Sequence, residues 1–202
     1  MRRAGIPAAL LAVAVLLPSA AHGGAQIYEP LAQSVRGKLS AAIADRSAPE
    51  LVFRDEEDGR RWIFEMSRRL ERRIADRKQR LELLRTVHFE ALRAGLDPQL
   101  VLGVIEVESA FRKYAVSRAG ARGYMQVMPF WVKLVGSRGD NLFHLRTNLR
   151  YGCVILRHYL DMEKGDYFRA LGRYNGSLGS ADYPRAVLVA WKVRWGYQGA
   201  TS

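Results

Sequence analysis

The chain has 202 residues, with 32 Lys and Arg against 20 Asp and Glu, a formal net charge of +12 and 49% hydrophobic residues. That length suits one packed domain with an extension, and the balance of apolar and charged residues excludes a disordered, collagen-like or multi-span membrane chain. The single cysteine, Cys153, excludes an intramolecular disulfide and a thiolate metal cluster, so stability has to come from packing.

At the start of the chain, Arg2 and Arg3 precede an apolar run from Ile6 to Leu17, followed by Ser19, Ala20 and Ala21. This pattern reads as an export leader over residues 1–25, with cleavage after Ala21 or within the Gly23, Gly24, Ala25 stretch. The apolar run falls well short of the roughly 20 residues that span a bilayer, so no integral membrane segment is expected after cleavage, and the expected location is periplasmic. A weak helical pattern from Ile27 to about Ala44 is interrupted by Ser47, Ala48 and Pro49. After a charged stretch from Arg54 to Arg61, Trp62, Met66, Leu70 and Ile74 recur every four residues on one helical face, with the intervening arginines in solvent. Residues 26–80 are thus expected to form an N-terminal helical extension.

Leu84, Val87, His88, Ala91 and Leu92 mark a further amphipathic helix, closed by Gly95. His88 is expected in the core, because no histidine spacing suggests a metal site. Asp97 followed by Pro98 supplies an N-cap and a first-turn proline for a central helix running through about Ala110. The glycine-rich stretch from Ser117 to Met128 predicts a loop or short irregular strands, with a helix near Pro129. Further helices are expected around Leu145 to Glu163, Tyr167 to Tyr174 and Tyr183 to Trp191. The fold class is mainly α, and Cys153 falls within an apolar helical pattern as a small core residue.

Within the central helix, a rotation of about 100° per residue sets Glu108 roughly 20° from Val101, between Val104 and Ile105. A carboxyl inside an apolar stripe resists ionisation and keeps a proton for donation near neutral pH. Glu106 points elsewhere on the same helix and cannot pair with Glu108 on one substrate. From the helix pattern alone, a structural carboxylate bonding a neighbouring loop is an equal reading of Glu108.

The residues downstream decide between those readings. Glu108, Ser109, Ala110 and Phe111, followed by Ser117, Gly120, Ala121, Gly123, Tyr124, Met125, Gln126, Val127, Met128 and Pro129, closely resemble the signature of the soluble lytic transglycosylase family. That family's domain is similar to goose-type lysozyme. Asn148, Gly152, Tyr159 and Leu160 fit a later family run with longer spacing, and Tyr174 and Asn175 fit its Tyr-Asn motif. The resemblance covers roughly Ala91 to Tyr183. It departs from the pattern at Tyr124, where leucine is usual, and at Gly176 and Ser177, which stand where Ala-Gly is usual.

The resemblance implies a lysozyme-like helical domain with a groove, a catalytic domain over residues 81–202, and cleavage of peptidoglycan glycan strands. It implies Glu108 as the single acid and base and Tyr174 as the hydroxyl that orients it. Ser117, Met125, Gln126, Met128 and Asn175 are implied along the substrate, with Ser117 facing the N-acetyl or lactyl side. Ordinary glycosidases use two carboxylates. No second acid accompanies Glu108 in the motif, and Asp140, Asp161, Glu163 and Asp166 match no family catalytic position. In the family the nucleophile is the muramic acid's own 6-hydroxyl, which yields a 1,6-anhydro sugar without water. No metal or organic cofactor is implied, and the positive charge is matched to wall carboxylates rather than to nucleic acid. General wall turnover and service to a secretion or pilus machinery fit the resemblance equally. A lysozyme-type hydrolase and a noncatalytic wall-binding module are the alternatives.

Overall fold

The computed structural model describes residues 26–45 and 56–198. The expected leader and the interruption at Ser47 to Pro49 lie outside these residues. Eight helices follow one another in the described chain: α1 Gln33–Ala44, α2 Glu56–Leu70, α3 Arg77–Arg93, α4 Pro98–Ser109, α5 Phe130–Val135, α6 Leu145–Met162, α7 Tyr167–Asn175 and α8 Asp182–Val189. A π-helical turn at Ala190–Arg194 continues α8. The mainly α class is as the sequence implies, and among the described residues no helix is long and apolar enough to cross a membrane.

Local chemistry sets the helix ends. Glu56, Glu57 and Asp58 open α2 and Arg68 and Arg69 close it, each complementing the helix dipole. Asp76, Asp97 and Asp166 cap α3, α4 and α7 by accepting main-chain N–H bonds from Gln79, Gln99 and Arg169. Gly95 and Gly176 end α3 and α7 with φ of 67° and 74°, a conformation that costs glycine nothing. The helical pattern read from Ile27 begins only at Gln33, because Pro30 disfavours helical geometry in the residue before it, and residues 26–32 run as a non-helical strap.

Two long helices form the centre. Nine of the twelve residues of α4 are buried, and α6 buries Asn148 through Leu156, Tyr159 and Leu160. Cys153 is enclosed in α6, and burial pushes its thiol well above its ordinary range. Where α4 meets the π-helical turn, Gly103 allows the backbones to touch: a Cβ there would sit 3.0 Å from the Trp191 nitrogen. The extension shares this core, since Leu39 and Ile43 of α1 and Trp62, Met66 and Leu70 of α2 belong to the same buried cluster as α3, α4 and α6. His88 lies in it too, edge-on to Trp62, and desolvation lowers its pKa to about 4.

Ionic ties fasten the extension from both sides. Glu90, fully buried on α3, is paired with Arg93 and Arg150. Those arginines donate to the last carbonyls of α1, Arg93 to Ala42 at 2.8 Å and Arg150 to Ile43 at 3.2 Å. On the other side, Glu106 of α4 accepts from Arg73, Arg194 and the Trp195 indole, while Arg69 donates to the Arg194 and Gly196 carbonyls. Glu106 therefore holds α2, α4 and the C-terminal turn together, on the side of α4 away from Glu108.

Candidate active site

Glu108 is the penultimate residue of α4, enclosed with Val101, Val104 and Ile105 and only 8% exposed. Directly after the helix, Ala110 and Phe111 take left-handed φ values of 49° and 63°, which turns the chain sharply away and leaves the carboxyl at the helix end. Desolvation dominates its surroundings and raises its pKa from 4.5 to about 8, against the opposing influence of Tyr183 and Asn175. At neutral pH the group is therefore mostly the neutral acid. Among the described residues, Tyr183 and Asn175 are the side chains that act on it.

The hydroxyl on Glu108 belongs to Tyr183, at the start of α8, which donates to Oε1 at 2.7 Å. The Tyr174 hydroxyl donates to the Met125 carbonyl at 2.7 Å. Tyr174 is nevertheless close enough for the Glu108 charge to act on it, and burial holds both phenols well above their usual range, so both act as donors. Nothing in the sequence singled out Tyr183, which lies 75 residues from Glu108. The Tyr-Asn motif pointed to the adjacent tyrosine, and only the docking of α8 on α4 separates the two.

Asn175, the last residue of α7, is buried beside the carboxyl, and its Nδ2 makes no hydrogen bond among the described residues. The loop over residues 115–128 is joined to this site through the bond from Tyr174 to the Met125 carbonyl. It is tied by isolated antiparallel bridges between Arg122 and both Val116 and Val127, and the expected strands go no further than this. Asn148 of α6 is the peg beneath it. Its Oδ1 accepts from the Met125 N–H at 2.8 Å, and its Nδ2 donates to the Arg122 and Leu142 carbonyls. Gly123 has to be glycine here, with φ of 76° and a prospective Cβ only 2.4 Å from the Asn148 amide.

The remaining expected residues divide. Met125 is fully enclosed and packs on Gly152, where a Cβ would lie 2.3 Å from its sulfur; it supports the loop from beneath and does not face the site. Ser117 is half-buried and its Oγ accepts from the Ala121 N–H at 3.1 Å, closing the turn at Gly120. Gln126 has φ of 47° and turns its amide back to the Ala115 and Gly123 carbonyls, at 3.1 and 2.9 Å. Met128 is half-buried at the loop's end. The other acids are committed elsewhere: Asp140 accepts from Tyr151, Asp161 binds Arg157, Glu163 binds Arg169 and Arg173, and Asp166 caps α7.

An acid held neutral at a helix end and bonded by a tyrosine hydroxyl defines a helical domain suited to general acid–base work. Residues 85–185, half of the chain, match the model of the transglycosylase SLT domain, and the chain belongs to that family. It is similar to a transglycosylase of Enterobacteria phage PRD1, 34% identical over 126 residues, covering 59% of this chain and 46% of the phage protein. It also resembles the membrane-bound lytic murein transglycosylase C of Haemophilus influenzae, at 51% identity over 106 residues, covering 45% of this chain and 30% of the relative. The protein of that name from Actinobacillus pleuropneumoniae serotype 5b is 54% identical over 52 residues, 26% of this chain and 13% of the relative. The chain thus spans less than half the length of these curated relatives.

Proposed function

We propose that the protein is a peptidoglycan lytic transglycosylase that cleaves the β-1,4 bond between N-acetylmuramic acid and N-acetylglucosamine by intramolecular attack. The observation that carries this reading is Glu108: buried, raised to about 8 and bonded by Tyr183. Most retaining and inverting hydrolases use a partner carboxylate beside the bond. A single carboxyl suffices when the nucleophile is part of the substrate.

Glu108, protonated, donates its proton to the glycosidic oxygen, and the bond to the muramic anomeric carbon breaks. The resulting carboxylate then takes the proton from the muramic 6-hydroxyl as that oxygen bonds to the anomeric carbon, which restores the acid and closes a 1,6-anhydro ring. Holding an internal hydroxyl near its target can supply roughly 7–11 kcal/mol of the barrier, which is what a protein nucleophile would otherwise contribute through placement. Tyr183 orients the carboxyl and stabilises its charged form between the two proton transfers. Asn175, which already favours the charged form of Glu108, offers its amide N–H to the sugar or to the same carboxylate. Tyr174 secures the loop through Met125, and the Gln126 and Met128 main chain borders the strand.

The leader-like residues 1–25 support export, and the net charge of +12 suits a polymer bearing carboxylates. A periplasmic location follows from this reading, as does work on the wall for general turnover or for a secretion or pilus machinery. Mass spectrometry of digested sacculi tests the reaction. Muropeptides ending in 1,6-anhydro-N-acetylmuramic acid are expected, and reducing ends alone would overturn the transglycosylase mechanism in favour of a hydrolase.

A further inference from the structure

At the start of the strap that precedes α1, Gln26 reaches across a separation of 100 residues to the loop over residues 115–128. Its Nε2 donates to the Gln126 carbonyl at 3.3 Å and its Oε1 accepts from the Met128 N–H at 3.0 Å. The side chain is buried, at 4% exposure.

The two main-chain groups it meets are unused by the loop itself. The bridge across the loop is made by Val127, whose N–H and carbonyl both pair with Arg122, and among the described residues neither Gln126 O nor Met128 N has a backbone partner. The left-handed φ of 47° at Gln126 turns its carbonyl out of the ladder. A carbonyl and an N–H pointing the same way on either side of one residue form a receptor for a planar amide. Gln26 supplies such an amide, with one oxygen accepting and one N–H donating. The acetamido group of an N-acetylated sugar presents the same pair of atoms.

The position fits a substrate subsite. The Gln26 amide lies against Tyr174, which is bonded to Met125 on the loop and feels the charge of Glu108. Leu31 packs the strap's end against the core, while its middle is held by a few exposed contacts. Tyr28 touches Phe130 edge-on at 5.7 Å, Glu29 pairs with Arg173 at 3.4 Å, and Ile27 and Tyr28 are more than half exposed. Contacts of this kind are individually weak and readily exchanged for a ligand's.

We propose that the Gln126 carbonyl and Met128 N–H form an acetamido-binding site that Gln26 fills from within, so that the strap over residues 26–32 inhibits its own enzyme until a glycan strand displaces it. The proposal rests on the glycan-cleaving reading of the Glu108 site. A site occupied by its own chain for most of the time binds outside ligand more weakly by the fraction left open. Removing the internal amide therefore strengthens binding.

The test uses the full chain carrying Glu108→Gln, alone and combined with Gln26→Ala or with Gln26→Glu, which keeps the length but cannot donate to the Gln126 carbonyl. Calorimetric titration with the β-1,4 trimer of N-acetylglucosamine is expected to show binding about tenfold tighter for both combined variants. The de-N-acetylated trimer is expected to bind all three proteins alike. In the Glu108-intact background, Gln26→Ala is expected to lower KM on purified glycan strands by a similar factor with kcat unchanged. Equal affinity in all three, or weaker binding in the Gln26 variants, overturns the proposal and makes Gln26 an ordinary structural residue. If the parent enzyme releases no 1,6-anhydro products, the catalytic reading fails separately, whatever the titrations show.

Discussion

A carboxyl kept neutral by its surroundings has consequences for both turnover and stability. Folding raises Glu108 from 4.5 to about 8, so the folded protein takes up a proton that the unfolded chain releases between those values. The contribution of Glu108 to stability is thus fully present below about 4.5 and is lost as the pH rises through about 8. Glu108→Gln removes the ionisation and should raise stability by about 4 kcal/mol at pH 8 and by little at pH 4, while abolishing turnover. Thermal melts of both proteins across this range check the sign. For the intact enzyme, kcat/KM should fall as pH rises through about 8, because the free acid is what protonates the leaving oxygen.

The two tyrosines are told apart by the same limb. Tyr183 donates to the carboxyl and favours its charged form, so Tyr183→Phe should shift the alkaline limb upward and lower kcat by about 10- to 100-fold. Tyr174→Phe instead leaves the buried Met125 carbonyl without its donor. It should destabilise by about 1–3 kcal/mol and leave the limb where it is. A limb moved by Tyr174→Phe and not by Tyr183→Phe would restore Tyr174 as the orienting hydroxyl.

Among the elements, the loop over residues 115–128 has little regular structure of its own and depends on α6. Asn148 makes three hydrogen bonds to it and to Leu142, so Asn148→Ala should cost about 2–4 kcal/mol and disorder the Gln126 and Met128 main chain. Denaturant melts give the first quantity. Amide exchange at residues 122–128, faster than the global unfolding rate, gives the second. The helix ends need no such support, because aspartate caps and glycine stops act within one turn.

For the whole molecule, the question is how the extension over residues 26–80 is tied to the rest. Glu90 sits under α1 with no exposure, paired with two arginines that reach α1's terminal carbonyls. Removing one member of a buried ionic cluster strands its partners' charges. Glu90→Ala should therefore cost about 3–5 kcal/mol and release α1, seen as loss of amide protection over residues 33–44. Arg60→Ala, which breaks an exposed pair with Glu56, should leave the melting temperature unchanged.

Local rules carried much of this architecture into the sequence. The Asp97 and Pro98 start, the Gly95 stop and the four-residue spacing of Trp62, Met66 and Leu70 each depend on neighbours in the chain, so they could be read without the fold. The placement of Glu108 in an apolar stripe was legible for the same reason, since helix geometry fixes which residues share a face. The family motif then marked the loop. The hydroxyl that meets Glu108, the enclosure of Met125 under Gly152 and the reach of Gln26 to residues 126 and 128 were decided only by tertiary structure. Each joins segments whose separation along the chain has no bearing on their distance in space, and adjacent residues such as Tyr174 and Asn175 end up serving different partners because successive positions on a helix point about 100° apart.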